Sequence, residues 1–127
     1  MPDVLQVLYV EDDPDIRMVT AFALEDEGFE LIECDSGIDA LSKAVNVTPA
    51  LILLDVMMPG LDGPATLQQL REMPHLANTP VIFMTAKVQP AEKEQYMALG
   101  ALGVLSKPFD PLALADDIRS LLSRSDG

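Results

Sequence analysis

The chain has no tryptophan, one cysteine, few aromatic residues, and 8 lysines and arginines against 21 acids in 127 residues. Each shortage excludes something. With aromatics at 5%, there is no stacking platform for single-stranded nucleic acid. The lone thiol, Cys34, has no internal disulfide partner; that fits a reducing compartment, and a cytoplasmic protein is expected. A formal charge of −13 repels phosphate backbones and anionic lipid, so direct binding to DNA, RNA or a membrane surface is disfavoured. No apolar run approaches the roughly 18 residues of a membrane-spanning helix. The opening MPDVLQVLYV lacks the positive lead-in of a secretion signal and reads as mature protein. Repeats, low-complexity tracts and linker-like stretches are missing too. One domain over 1–127 is therefore expected, with its core at about 4–123.

What the chain does have is apolar residues, 49% of the total, in two alternating periods. Short β-rich runs fall at Val4–Val10, Phe29–Cys34, Leu51–Leu54, Pro80–Thr85 and Gly103–Ser106. Several are too continuously apolar to face water on either side. Helical spacing lies between them. Asp13 is a cap with Pro14 following, and Ile16, Val19 and Ala23 are expected to line the buried side of the first helix. Ser36 caps a helix through Val45, with Ala40, Leu41 and Ala44 inward. Pro64 opens a third, burying Leu67 and Leu70, and Pro90 a fourth, with Glu92 and Glu94 suiting its positive end. Asp110 and Pro111 are expected to start the fifth, placing Leu114, Ala115, Ile118, Leu121 and Leu122 on one face.

Strict alternation of five strands and five helices implies right-handed crossovers and an α/β fold. The expected architecture is a five-stranded parallel sheet, order 2-1-3-4-5, doubly wound by five helices. In that order the topological switch lies between strands 1 and 3, and ligands bind beyond their carboxyl ends.

Polar residues collect at that rim. The apolar run Leu51–Leu54 ends in a carboxylate, Asp55, and burying a charge there is costly unless something pairs with it. Strand 1 ends in Glu11 and Asp12, strand 4 in Thr85, and strand 5 leads into Lys107. Carboxylates about 4 Å apart repel by on the order of 4 kcal/mol per pair at an effective dielectric near 20. One ammonium cannot offset three of them. A hard divalent cation can, and oxygen ligands at an open rim suit Mg²⁺, with Mn²⁺ as a substitute. A carboxylate, Mg²⁺, a hydroxyl and a lysine together suit phosphoryl transfer onto the carboxylate, with Lys107 and Thr85 on phosphoryl oxygens.

The segments VEDDPDIR, LILLDVMMPGLDG, PVIFMTA and LSKPF resemble, in order and spacing over essentially the whole chain, the receiver domain of bacterial two-component response regulators. The resemblance implies that Asp55 is the phosphoacceptor and that Glu11 and Asp12 are the acidic pair, with Asp12 ligating the metal directly. It further implies that Met57 lends its backbone carbonyl to the metal, that Thr85 is the switch hydroxyl and Lys107 the phosphate-binding lysine, and that Pro108 follows a cis bond. The implied partner is a sensor histidine kinase or a histidine phosphotransfer protein, with the downstream target open. One departure stands out: where the family carries an aromatic or histidine three residues before the lysine, this chain has Val104. A valine is too short for the usual ring movement, so signalling through the backbone of Ala86 to Gln89 is expected instead.

Blander readings exist for each residue. Asp55 can be a turn residue, Glu11 and Asp12 a solvated acidic cluster, Thr85 a plain strand residue and Lys107 a surface lysine. Met57 and Met58 read as loop packing, Gly60 and Gly63 as turn glycines, Cys34 as a small core residue and His75 as a loop residue without a ligand role. Other classes are a phosphorelay intermediate, a receiver cut from a larger protein and, more distantly, a Mg²⁺-dependent phosphohydrolase, for which no second acid is placed near Asp55. A flavodoxin-like FMN carrier would need a hydroxyl- and glycine-rich phosphate loop after strand 1, where this chain has EDDPD.

Overall fold

A computed structural model describes residues 4–86 and 89–125. The strands are β1 (Leu5–Val10), β2 (Phe29–Cys34), β3 (Leu51–Asp55), β4 (Val81–Thr85) and β5 (Gly103–Ser106), alternating with helices α1 (Pro14–Leu24), α2 (Gly37–Ala44), α3 (Gly63–Arg71), α4 (Pro90–Ala98) and α5 (Leu114–Ser125). All neighbouring strands are parallel, in the order β2-β1-β3-β4-β5. The expected architecture is the observed one.

Strand pleating explains how one sheet carries two cores. Leu8, Val10, Ile52, Leu54 and Phe83 point to the face covered by α2, α3 and α4, while Val7, Tyr9, Leu53, Ile82 and Met84 point to the face covered by α1 and α5. Every residue of β3 and β4 is buried, as continuous apolar runs require in a sheet covered on both sides. On the second face the Tyr9 hydroxyl shares a 2.8 Å hydrogen bond with Thr20, which satisfies both groups in the interior.

The caps follow the sequence closely. Asp13 accepts from the amides of Asp15 and Ile16, Ser36 from Asp39, and Asp62 from Ala65. Three expectations are corrected. Val19 is 44% exposed; α1 turns Thr20 and Leu24 inward instead, because the threonine hydroxyl finds Tyr9 and the Ile16 carbonyl. The fifth helix begins at Leu114, not at Pro111. Asp110 accepts from the Leu112 amide and closes a turn that delays helix entry. Gly63 is the first residue of α3 and no turn glycine. A Cβ there would collide with the Asp55 carbonyl and the Val56 backbone. Gly60, at φ +77°, is the turn glycine.

His75 lies in a short 3-10 turn, Pro74–Leu76, and its Nε2 lies 2.8 Å from the Ala44 carbonyl. Cys34 is buried. Of the Ala86–Gln89 connection, Lys87 and Val88 lie outside the described residues. No described helix is long and apolar enough to cross a membrane.

Candidate functional site

The carboxyl ends of β1, β3 and β4, together with the residue after β5, meet at one rim. Register pairs Val10 with Leu54, Asp55 with Met84, and Thr85 with Ser106. The next residues along β1 and β5 are Glu11 and Lys107. The Lys107 amide donates to the Thr85 carbonyl at 2.9 Å, which carries the β4–β5 pairing up to the lysine. The Lys107–Pro108 peptide bond is cis.

At the centre lies a bridged carboxylate pair. Lys107 Nζ donates to Glu11 Oε1 at 2.9 Å and to Asp55 Oδ1 at 3.0 Å. Glu11 and Asp55 are 1% and 2% exposed, and the Lys107 side chain 16%. The other Glu11 oxygen accepts from the Asp13 amide at 3.2 Å. The other Asp55 oxygen, Oδ2, is buried without a hydrogen-bond partner among the described residues. Leaving such an acceptor unpaired costs about 1–3 kcal/mol, more when it is charged. An oxygen held this way is poised to bind something. Carboxylate oxygens of Glu11, Asp12 and Asp55 lie within 4.8 Å of one another, with Asp12 the most accessible. Three hard oxygen donors, one of them unpaired, fit a divalent cation such as Mg²⁺.

Electrostatics give the same answer. Burial pushes Glu11 up to about 7; Lys107 opposes the shift and the Asp55 charge adds to it. Asp55 is also raised, by burial first, with Lys107 opposing and Asp12 contributing. Burial works to lower the Lys107 pKa, but the two carboxylates outweigh it and the ammonium is held above its usual value. Two acids facing one base leave excess negative charge. The fold accommodates it by retaining a proton, in keeping with the upward shifts of Glu11 and Asp55, or by binding a cation.

A protein-family model described as the response regulator receiver domain matches residues 7–119. The chain belongs to this family. The DNA-binding transcriptional regulator RpaA of Synechocystis is 36% identical to this receiver over 121 residues, 95% of the chain but 50% of that relative. Among solved structures, the Vibrio cholerae chemotaxis response regulator CheY4 is 31% identical with a TM-score of 0.86, covering 93% of this chain and 98% of its own. The receiver domain of a Syntrophus aciditrophicus signal transduction histidine kinase is 30% identical with a TM-score of 0.81, covering 95% of this chain and 92% of its own. The receiver spans about half the length of the curated relatives it matches.

Glu11, Asp12, Asp55, Thr85 and Lys107 all reach the rim. The Met57 side chain is 68% exposed and takes no part in the cluster, and Val104 lies lower on β5, half-buried beside Phe83. Three supporting residues escaped the sequence reading. Arg17 donates to the Glu11 carbonyl at 2.7 Å and holds the end of β1. Gly63 lets α3 approach beneath Asp55. Tyr96 of α4 rests its ring on Phe83, two residues before Thr85, at 5.2 Å between centroids. Arg17 and Gly63 stand inside the segments VEDDPDIR and LILLDVMMPGLDG, but the roles of all three are contacts across elements, which no local pattern announces.

Proposed function

We propose that this receiver accepts a phosphoryl group on Asp55 in a Mg²⁺-dependent reaction and passes the signal on through a change of conformation. The observation that carries this reading is Asp55 itself. One oxygen is held by Lys107, and the other is buried, unpaired and within reach of two further carboxylates. The donor is a phosphohistidine of a kinase or phosphotransfer protein, or a small acyl phosphate.

In the transfer, Asp55 Oδ2 forms a bond to phosphorus as the bond from phosphorus to the donor nitrogen breaks. The imidazole departs with a proton from solvent, and the product is an acyl phosphate. The reaction demands mostly positioning and neutralisation of charge. Lys107 supplies one positive charge and follows the phosphoryl oxygens as they form. Thr85, at the end of β4, contributes its hydroxyl. Glu11, Asp12, Asp55 and the Met57 carbonyl are the groups that would hold Mg²⁺, which when bound offsets the charge of the carboxylates and phosphoryl oxygens. Apart from turning over its own acyl phosphate, the domain is no enzyme; the protein is its own substrate.

Incubation with acetyl phosphate and Mg²⁺ should add the mass of one phosphoryl group. The gain should vanish in Asp55→Ala and in chelator, and Asp12→Ala should abolish it while leaving the fold intact. Labelling that persists in any of these three would overturn the assignment. A second reading, that the domain relays phosphate to a histidine phosphotransfer partner, is favoured by its likeness to a receiver from a histidine kinase. The whole of 1–127 is taken to be one receiver unit. Whether further domains are joined to it in the native protein determines the downstream target.

A further inference from the structure

Both backbone groups of Glu11 are tied down beyond the end of β1. Register pairing of β1 with β2 and β3 ends at Val10, yet the Glu11 amide still donates to the Cys34 carbonyl at 3.1 Å. The Glu11 carbonyl is taken by a side chain instead: Arg17 Nη1, from α1, donates to it at 2.7 Å. Arg17 Nε also faces Glu33 Oε1 of β2 at 3.9 Å, so one guanidinium grips two neighbouring strands. The Glu11 carbonyl belongs to the peptide group that leads into Asp12, and a peptide group is planar. Fixing that oxygen therefore fixes the plane from which the Asp12 side chain departs. The carboxylates of Glu11 and Asp55 are held separately, by Lys107. Asp12 is the most accessible of the three acids, so its aim depends most on its backbone.

We propose that Arg17 is a positioning residue for the cation site, aiming Asp12 through the Glu11 carbonyl and thereby setting the affinity for Mg²⁺. The proposal rests on Glu11, Asp12 and Asp55 being the groups that hold the ion. Groups standing behind a metal ligand act in this way by removing orientations that cannot bind. Arginine suits the task. Its planar fork offers donors in two directions, whereas a lysine has a single head and cannot grip both the carbonyl and Glu33. Charge and position pull in opposite directions here. Deleting a cation beside an acidic cluster should, by Coulomb's law, strengthen the attraction for Mg²⁺. Weaker binding in its absence therefore reads position and not charge.

The test is calorimetric titration of Mg²⁺ into the metal-free full chain at constant ionic strength. Arg17→Met keeps the aliphatic stem and should raise the dissociation constant roughly ten-fold, the scale of lost support behind a metal ligand. Arg17→Lys, with the full charge but one head, should fall between Arg17→Met and wild type. At saturating Mg²⁺ the rate of labelling by acetyl phosphate should return to within about two-fold of wild type, because the defect lies in binding and not in the transfer. Melting in chelator checks that each variant folds. If Arg17→Met does not, Arg17→Lys decides, and wild-type affinity in it overturns the proposal. So does unchanged or tighter binding by folded Arg17→Met, or slow labelling that saturating Mg²⁺ does not repair. If wild type shows no saturable binding, or Asp12→Ala binds as well as wild type, the metal reading fails and this inference with it.

Discussion

Asp55 and Glu11 differ in one respect that separates their roles: both Glu11 oxygens have partners, and only one Asp55 oxygen does. Glu11 is therefore held on both oxygens, whereas Asp55 keeps one buried oxygen unpaired, a costly state that suits the proposed reaction. Asp55→Asn should accordingly raise the stability of the metal-free protein, by about 1–2 kcal/mol, because it removes a buried charge whose second oxygen is unpaired; denaturant titration in chelator measures it. Lys107→Ala should do the reverse. Removing one partner of a buried pair costs roughly 3–5 kcal/mol, and the partly exposed lysine puts this case at the lower end. Its Mg²⁺ affinity should not fall, since an ammonium is no ligand. Glu11 adds a pH dependence. Its folded pKa, about 7, lies above the ordinary 4.5. Between those values the folded state binds more protons than the unfolded state, so stability falls as pH rises through the window. Thermal melts of metal-free protein below about 4.5 and above about 7 should show that decline, and Glu11→Gln should flatten it. These residues were legible in the sequence because each ends a strand. Which Asp55 oxygen is unpaired, and which carbonyl Arg17 reaches, depends on side-chain geometry that no spacing encodes.

Among the elements, the strands could be read almost to the residue, since continuous apolar runs such as LILL and VIFM leave little freedom of assignment. The helices were less certain at their ends and faces. The exposed side of α1 contains Met18, Val19 and Phe22, so hydrophobicity alone points to the wrong stripe, and the Tyr9–Thr20 bond decides the rotation. Asp110 was read as a helix cap but closes a turn first. Gly63 shows what packing demands and periodicity cannot reveal. Its Cβ position is filled by the Asp55 carbonyl and the Val56 backbone, and neither can move without moving Asp55, the proposed phosphoacceptor. Gly63→Ala should therefore cost both stability, by about 1–3 kcal/mol as in other overpacked sites, and phosphorylation rate. Parallel measurement of melting and acetyl phosphate labelling checks it. Unchanged labelling in a folded variant would mean that α3 can retreat without disturbing Asp55.

For the whole molecule, charge is the dominant property. With 21 acids and 8 bases, self-repulsion opposes the compact state, and screening should relieve it. Adding monovalent salt to metal-free protein should raise its melting temperature, and millimolar Mg²⁺ should raise it further by site binding that Asp12→Ala removes. The architecture also sets when the chemistry can exist. Lys107 reaches partners 96 and 52 residues earlier in the chain, and the rim is assembled from β1, β3, β4 and the residue after β5. During synthesis Asp55 is made well before its lysine. A nascent or truncated chain ending before β5 carries Asp55, the proposed acceptor, but no assembled site, so on that reading a kinase cannot charge it. Competence to receive a phosphoryl group is thus a proofread property: only a chain that has closed its last strand can be addressed, and half-made copies neither consume the signal nor report it.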